Sequence, residues 1–184
     1  MVKDFSEIIL TELSLSLERI DETEFQHFIQ QLIRPRRILV VGVGRVLISM
    51  KAWVKRMVHL KLDINYVGSE TEMPVGEGDL LIAASSSGES AIPAAIARIA
   101  KQKGAEVAYI GCSQDSTIAH MADYRILMAG RTKFNREGEF ASVQPMSTLF
   151  EQQLYLLGDI ISLEIMRENG WSEEDIKNRH ANLE

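Results

Sequence analysis

Apolar residues recur at helical spacing at both ends of the chain. One stripe runs through positions 3–19, and a second follows Asp21 and Thr23, either of which can cap a helix. Met146 to Asn169 carries apolar residues on most of its faces, which predicts one long helix that is buried on more than one side. The first stripe consists of Phe5, Ile8, Ile9, Leu13 and Leu17. The pattern therefore predicts two N-terminal helices and a long C-terminal one.

Between these helices, short apolar runs rich in β-branched residues alternate with further helical stripes. The predicted strands are Arg37–Val41, Asp63–Val67, Asp79–Ala84, Glu106–Gly111 and Asp123–Met128. The predicted helices between them are Val46–Leu60, Ile92–Lys103 and a short one capped by Ser116. Right-handed crossovers between such strands give a parallel sheet, and the flavodoxin-like order 2-1-3-4-5 suits five of them. The predicted fold is a three-layer α/β/α sandwich.

The 184 residues fit a single domain, 1–184. We divide it into N-terminal helices over 1–34, closed by Pro35, a parallel α/β core over 36–128, and C-terminal helices with a tail over 144–184. The polar stretch from Gly130 to Ser142 has no periodicity and is predicted to be a functional or mobile loop.

The net charge of −6 gives no electrostatic footprint for nucleic acid, so no such partner is predicted. A local basic group of Arg34, Arg36 and Arg37 is nevertheless suited to a small anion. The single cysteine, Cys112, follows an apolar run and is interpreted as a small buried hydrophobe. No apolar stretch approaches the ~20 residues of a membrane span, and the N-terminus is not a signal peptide, which predicts a cytoplasmic protein without membrane contact.

The most informative segment is Ser85-Ser86-Ser87-Gly88-Glu89-Ser90, which joins the third strand to a helix. Its backbone N–H groups lie at the positive end of that helix, and its hydroxyls add donors, as a phosphate site requires. A plain turn with an N-cap is the alternative interpretation. In sheets of the predicted order, ligands bind where the winding reverses, between strands one and three, and this segment lies there.

The turn after strand one begins with Gly42-Val43-Gly44. The dinucleotide fingerprint requires a third glycine three residues later, and Leu47 stands there. A dinucleotide dehydrogenase is therefore disfavoured, and the glycines are explained by close approach of the backbone to a ligand.

These two loops, the stretch from Gln144 to Gln152 and the terminal Arg179 to Glu184 together resemble the 6-phospho-3-hexuloisomerases of the sugar isomerase (SIS) domain superfamily. The resemblance covers nearly the whole chain. It implies a homotetramer that interconverts D-arabino-3-hexulose 6-phosphate and D-fructose 6-phosphate through a cis-enediol, in the ribulose monophosphate pathway, with no metal or organic cofactor.

Within this resemblance, Glu151 is the predicted base, because an apolar helix environment raises a carboxyl pKa. His180 is predicted to open the cyclic sugar or shuttle protons, reaching the site of a neighbouring subunit. The predicted substrate-binding residues are Gly44, Arg45, Ser85, Ser86, Ser87, Gly88, Glu89 and Ser90. Glu89 either caps a helix or joins the acid–base set. His27, His59 and His120 have no ligands at metal spacing, so no metal is predicted.

The sequence departs from the family at one point: the usual Gly-x-Gly-Arg-Ser-Gly has Val46 and Leu47 in place of its serine and final glycine. One hydroxyl contact to phosphate is thereby lost. Two alternatives to the hexulose activity stay open: an isomerase of another sugar phosphate, and a noncatalytic sugar-phosphate-binding regulatory protein.

Overall fold

Five parallel strands form the centre of the molecule in the order β2-β1-β3-β4-β5, which confirms the predicted topology. The computed structural model describes residues 1–34 and 36–183. Pro35, predicted to close the N-terminal helices, and Glu184, the last residue of the family-like terminal stretch, lie outside the described residues. The strands are β1 Arg37–Val41, β2 Asp63–Tyr66, β3 Leu80–Ala84, β4 Glu106–Gly111 and β5 Tyr124–Leu127.

Helices cover both faces of this sheet, as the three-layer prediction requires. They are α1 Val2–Leu17, α2 Glu22–Leu32, α3 Arg45–His59, α4 Ala91–Gln102, α5 Thr117–Met121, α6 Thr148–Asn169 and α7 Glu173–Lys177. Of the two possible caps for α2, Asp21 is the one used, since its carboxylate accepts from the N–H groups of Thr23 and Glu24. Ser172 and Asp175 form a capping box at the start of α7.

The alternation of side chains along the strands divides the core into two halves. Ile38 and Val40 of β1 face the larger half, which α2, α3 and α6 cover and in which Trp53 is 1% exposed. Leu39 and Val41 face the smaller half under α4 and α5, where Tyr109 is fully buried. Because both faces are apolar, each strand is apolar along its length, as parallel strands are.

The long helix differs from its prediction at its start. It begins at Thr148 rather than Met146, because Met146 has a left-handed φ of 57° and Ser147 occupies the N-cap. Helix α6 packs against α3 and α1, and its remaining side leaves Leu163 67% exposed. Helix α1 likewise leaves Phe5 59% exposed. No helix in residues 1–34 and 36–183 has the length and apolar character that crossing a membrane requires.

Candidate active site

Two connecting segments leave the sheet side by side. Strands β1 and β3 are parallel neighbours with Val41 opposite Ala83, so the β1 turn, Gly42–Arg45, and the serine loop, Ser85–Ser90, emerge at the same edge. Neighbouring strands are ~4.8 Å apart, which makes the two segments adjacent. The structure therefore brings together the two loops that the sequence assigned to the switch point.

The hydroxyls of the serine loop shape the loop itself. The Ser85 Oγ accepts from the Gly88 N–H at 3.1 Å and lies 3.0 Å from the Ser90 Oγ. The Ser87 Oγ accepts from the Glu89 N–H at 3.3 Å. Ser85 and Ser87 are only 2% and 7% exposed, so these bonds form where water has little access. The loop is consequently preformed without a ligand.

Gly88 is required by the close packing beneath this loop. It has φ of 67°, and a Cβ there would lie 2.0 Å from the Ser116 Oγ and 2.8 Å from the Tyr109 hydroxyl. Burial raises the pKa of Tyr109 to about 12, and its hydroxyl donates to the Ser85 carbonyl at 3.2 Å. Ser90 occupies the N-cap of α4 but makes no side-chain cap bond, since its hydroxyl meets Ser85. The leading N–H groups of α4 are thus left for an anion.

Glu89 acts as a cap for α5. Its carboxylate accepts from the Thr117 N–H at 2.7 Å and from the Thr117 Oγ1 at 2.8 Å. These bonds lower the pKa of Glu89, because they stabilise the ionised form. Of the two roles that the sequence left open, the structure supports capping, although at α5 rather than at the adjacent α4.

Glu151 lies at the start of α6 and is held from three directions. Its carboxylate forms an ion pair with Arg45 of the β1 turn and accepts from the Ser147 Oγ at 3.0 Å. Its backbone carbonyl accepts from the Ser49 Oγ of α3 at 2.9 Å. Glu151 is 8% exposed, whereas the Arg45 side chain is 65% exposed. The buried Glu151 carboxylate therefore lies at the sheet edge that carries the serine loop. The exposed side chain of its partner, Arg45, can turn towards solvent.

His180 is not brought to Glu151 within one protomer. Its ring lies 5.0 Å from the ring of His59 at the last turn of α3, and the Arg179 guanidinium donates to the His59 carbonyl at 3.2 Å. Glu151 contacts Ser49, ten positions earlier on α3, which corresponds to ~15 Å along the helix axis. Glu151 and His180 therefore lie at different places along α3 in one protomer.

A family model described as the SIS domain matches residues 31–156. The chain belongs to the SIS domain family. The matched part of the SIS domain contains the β1 turn, the serine loop and Glu151, whereas α1 and His180 lie beyond it.

Relatives extend the likeness to nearly the full length of this SIS protein. A protein of Bacillus subtilis (strain 168) named 3-hexulose-6-phosphate isomerase is 34% identical over 176 residues, covering 96% of this chain and 95% of the relative. A Mycobacterium gastri protein of the same name is 28% identical, with 96% and 88% covered. A crystal structure from Methanococcus jannaschii, described as inferring a molecular function of 3-hexulose-6-phosphate isomerase, has a TM-score of 0.84 at 26% identity, covering 98% and 99%.

The departure at Val46 has a packing consequence in this SIS domain. Val46 is 9% exposed and belongs to the larger core half. A Cβ on Gly42 would lie 2.9 Å from the Val46 Cγ1, so the glycine and the valine fit against each other. Leu47, the next residue on the first turn of α3, is half-buried. The apolar pair thus stabilises the start of α3 instead of facing the open site.

Sequence reasoning missed a carboxylate that reaches this site from α1. Glu12 accepts from the Ser142 Oγ at 2.7 Å, the Val143 N–H at 2.8 Å and the Gln144 side-chain amide at 3.0 Å. Burial acts to raise the pKa of Glu12, but these three bonds and the charge of Arg131 outweigh it, leaving the pKa below its usual value. The segment that Glu12 holds leads directly into the residues before Glu151. No local pattern around position 12 signals this contact.

The remaining residues weighed from sequence take packing roles. Cys112 is half-buried, and burial raises the pKa of its thiol to about 12, in line with its interpretation as a small hydrophobe. The His27 ring packs edge-on against Tyr124 at 5.3 Å, and His59 is 4% exposed beneath the tail.

Proposed function

We propose that this chain is a phosphosugar isomerase that interconverts D-arabino-3-hexulose 6-phosphate and D-fructose 6-phosphate. The names of its relatives from Bacillus subtilis and Mycobacterium gastri support that substrate pair. The observation that carries the proposal is the buried Glu151 carboxylate beside Arg45, at the sheet edge that carries the serine loop. An isomerase needs a phosphate anchor and a carboxylate base at one edge, and this arrangement supplies both.

The phosphate binds to the serine loop in this proposal. The backbone N–H groups at the start of α4 and the hydroxyls of Ser87 and Ser90 donate to its oxygens, supported by the positive end of the helix dipole. Ser85 is bonded to Gly88 and Ser90, so its part is to shape the loop. Because Val46 offers no hydroxyl, the phosphate is anchored chiefly from the side of the serine loop.

The reaction moves the carbonyl from C3 to C2. Glu151 removes the proton from C2, the electron pair forms the C2–C3 double bond of an enediolate, and the C3 oxygen takes the negative charge. Glu151 then returns the proton to C3, while the O2 proton passes to O3 and the C2 carbonyl forms. A single carboxylate suffices for the carbon-to-carbon transfer, because the two carbons are adjacent on one face of a cis-enediol.

Arg45 stabilises both charged species along this path. Without substrate it pairs with the Glu151 carboxylate, and its exposed side chain has room to turn towards the substrate. When Glu151 becomes protonated, the ion pair is lost and the guanidinium donates to the enediolate oxygen. The Arg45 guanidinium thus pairs first with the Glu151 carboxylate and then with the enediolate oxygen.

His180 acts at the site of another protomer in the proposed assembly, a homotetramer. Helices α1 and α6 are in contact, and together they leave an apolar surface exposed, which supports burial against a second copy. The exposed apolar residues of these two helices include Phe5 at 59%, Leu10 at 65% and Leu163 at 67%. Light scattering at micromolar concentration tests the assembly, and a monomer would contradict it.

A coupled assay tests the activity. The protein is supplied with 3-hexulose 6-phosphate, and fructose 6-phosphate is converted onward by phosphoglucose isomerase and an NADP-linked glucose-6-phosphate dehydrogenase. We expect turnover by the wild type and a loss of roughly 10²- to 10⁴-fold in kcat for Glu151→Gln, the range that a general base contributes.

Glu168→Gln is the matched control, because Glu168 lies on the same helix, is exposed and accepts from the Gln30 amide at 3.3 Å, away from Glu151. Absence of turnover by the wild type would contradict the substrate assignment. Turnover of other phosphosugars in a panel would then favour a different isomerase, and binding without any turnover would favour the regulatory alternative.

A further inference from the structure

A second cavity lies at the opposite end of the sheet. This amino-end cavity has a volume of about 560 Å³ and is lined by Arg37 and Asp63, the first residues of β1 and β2, and by Asp79, just before β3. The candidate active site lies beyond the other ends of these strands. β1 alone has five residues, which at ~3.3 Å each separate the two sites by ~15 Å. The cavity is therefore independent of the proposed active site.

Basic side chains dominate the lining of this cavity. Four basic residues face two acidic ones there, an excess of two positive charges in a chain whose net charge is −6. The acidic residues are Asp63 and Asp79, and both lie near Arg37, at 4.0 Å and 3.8 Å. The positive excess consequently resides with the other three basic residues, Arg34, Arg36 and Lys61.

Two of those cations are held on one buried acceptor. The guanidinium groups of Arg34 and Arg36 both donate to the Gln31 Oε1, at 2.8 Å and 2.9 Å, and Gln31 is 8% exposed. Arg36 also forms an ion pair with Glu106. Neither Arg34 nor Lys61 forms a salt bridge with any residue in the described part of the chain. Like charges held close together repel, and a bound anion relieves that repulsion.

The pKa of Glu106 reflects the positive charges of the arginines at this end of the sheet. Burial acts to raise its pKa, but hydrogen bonds from Arg36 and Tyr124 and the charges of Arg36 and Arg34 outweigh burial and lower the pKa. Glu106 is therefore ionised and offsets one guanidinium, which leaves Arg34 and Lys61 to meet a ligand.

The floor of the cavity is apolar. Ile33, Leu62 and Trp171 are half-buried and supply the apolar surface of the cavity, while Leu32, Leu60 and Ile165 are buried. The Lys61 Nζ lies 5.9 Å from the Trp171 ring centroid. The volume falls within the range of ~300–1,000 Å³ that is usual for small-molecule sites, which combine apolar walls with a few polar groups. An inorganic ion would leave that floor unused.

We propose that the amino-end cavity binds an organic phosphate, with the phosphate held by Arg34 and Lys61 and the carbon skeleton packed on the apolar floor beside Trp171. A nucleotide and a sugar phosphate share this chemistry. The site is separate from the serine loop, so its occupancy does not depend on the proposed isomerase activity.

Tryptophan fluorescence of the full chain tests this proposal. Of the two tryptophans, Trp53 is 1% exposed in the core, so a ligand-induced change in emission reports Trp171. We titrate with ADP, fructose 6-phosphate and inorganic phosphate, and expect an organic phosphate to bind more tightly than inorganic phosphate. Tighter binding of ADP identifies a nucleotide site, and tighter binding of fructose 6-phosphate identifies a sugar phosphate site.

Variants locate the binding within the chain. Arg34→Gln and Lys61→Asn remove exposed charges, and asparagine suits the left-handed φ of 65° at Lys61. Each is expected to weaken organic phosphate binding roughly tenfold. Lys3→Gln on α1 is the control, which leaves this fluorescence change unaltered. The proposal is wrong if no probe alters Trp171 emission, if inorganic phosphate binds as tightly, or if both cavity variants bind like the wild type.

Discussion

Glu151 and His180, the two side chains predicted to carry the chemistry, lie in contrasting surroundings. Glu151 is buried near the start of a 22-residue helix and is bonded to the β1 turn, to α3 and to its own N-cap. His180 lies on the tail after the five-residue helix α7, where the ring of His59 and the Ala181 carbonyl are beside it. Glu151 is therefore fixed by the core of its own protomer, whereas His180 is attached to the surface of the protomer.

The difference shows which parts of the candidate site a single protomer holds in place. The protomer by itself positions the serine loop, the Glu151 carboxylate and Arg45, because all three lie at the same sheet edge or on the helix packed over it. His180 lies beside His59, which is ~15 Å further along α3 than Ser49 by helix rise. If His180 takes part in catalysis, assembly rather than folding of one protomer sets its position, and the exposed surface of α1 and α6 offers the contact.

Mixing two inactive variants tests this contrast with the largest expected effect. Glu151→Gln and His180→Ala are each expected to lower kcat by roughly 10²-fold or more. In a co-expressed mixture of the two, a site that combines Glu151 from one chain with His180 from another regains both groups. With random assembly, about one quarter of the sites are restored.

The control for the mixture is each variant co-expressed with itself under a second tag, which should stay inactive. No recovery in a verified mixed oligomer would mean that His180 does not act across the interface. Full activity of His180→Ala alone would remove it from the mechanism and leave Glu151 as the single acid–base group.

Much of the fold and part of the site could be predicted from the sequence. Strand order follows from alternating apolar runs, and the serine loop is a local motif at a switch point. The Arg45–Glu151 pair joins positions 106 apart, and the bond from Val143 to Glu12 spans 131, so no local pattern encodes either. Likewise, Glu89 belongs to the serine loop, but its hydrogen-bond partner Thr117 lies 28 positions away in the sequence. Such contacts depend on packing of whole elements.

Glu12 provides the next test, because it fixes the segment before Glu151 from a helix outside the matched domain. Glu12→Gln removes the charge that accepts from Ser142, Val143 and Gln144, and we expect kcat to fall roughly tenfold with a smaller change in KM. The pKa of Glu12 is lowered on folding, so its stabilisation is present above the unfolded value near 4.5 and is lost as pH falls through the folded pKa. The variant should lack that acid-range loss in a pH series of thermal unfolding.

Glu7→Gln, an exposed carboxylate on the same helix, is the matched control and should behave like the wild type in both measurements. An equal loss of kcat in both variants would indicate that α1 acts through general stability and not by positioning.

An effect of similar size is expected on phosphate binding. Ser87→Ala and Ser90→Ala each remove one hydroxyl, which should raise the dissociation constant of fructose 6-phosphate roughly tenfold, equivalent to ~1.4 kcal/mol. Calorimetric titration measures this change, and Ser6→Ala on the exposed face of α1 serves as the control. Unchanged affinity in both loop variants would mean that the serine loop is only a turn and that the sugar phosphate binds elsewhere.

The smallest effect concerns Val46, where the usual family serine is absent. Val46 is 9% exposed and its Cγ1 packs beside Gly42, so a hydroxyl in its place lies at the base of the β1 turn and reaches a phosphate only from below. We expect Val46→Ser to tighten fructose 6-phosphate binding by about threefold at most, while loss of buried methyl groups costs about 1–2 kcal/mol of unfolding free energy. Val46→Thr is the matched variant, because it adds the hydroxyl and keeps one methyl, and it should gain the same affinity with a smaller loss of stability. Calorimetry and thermal unfolding separate the two terms, and weaker binding in both variants would show that the valine itself supports the bound sugar phosphate.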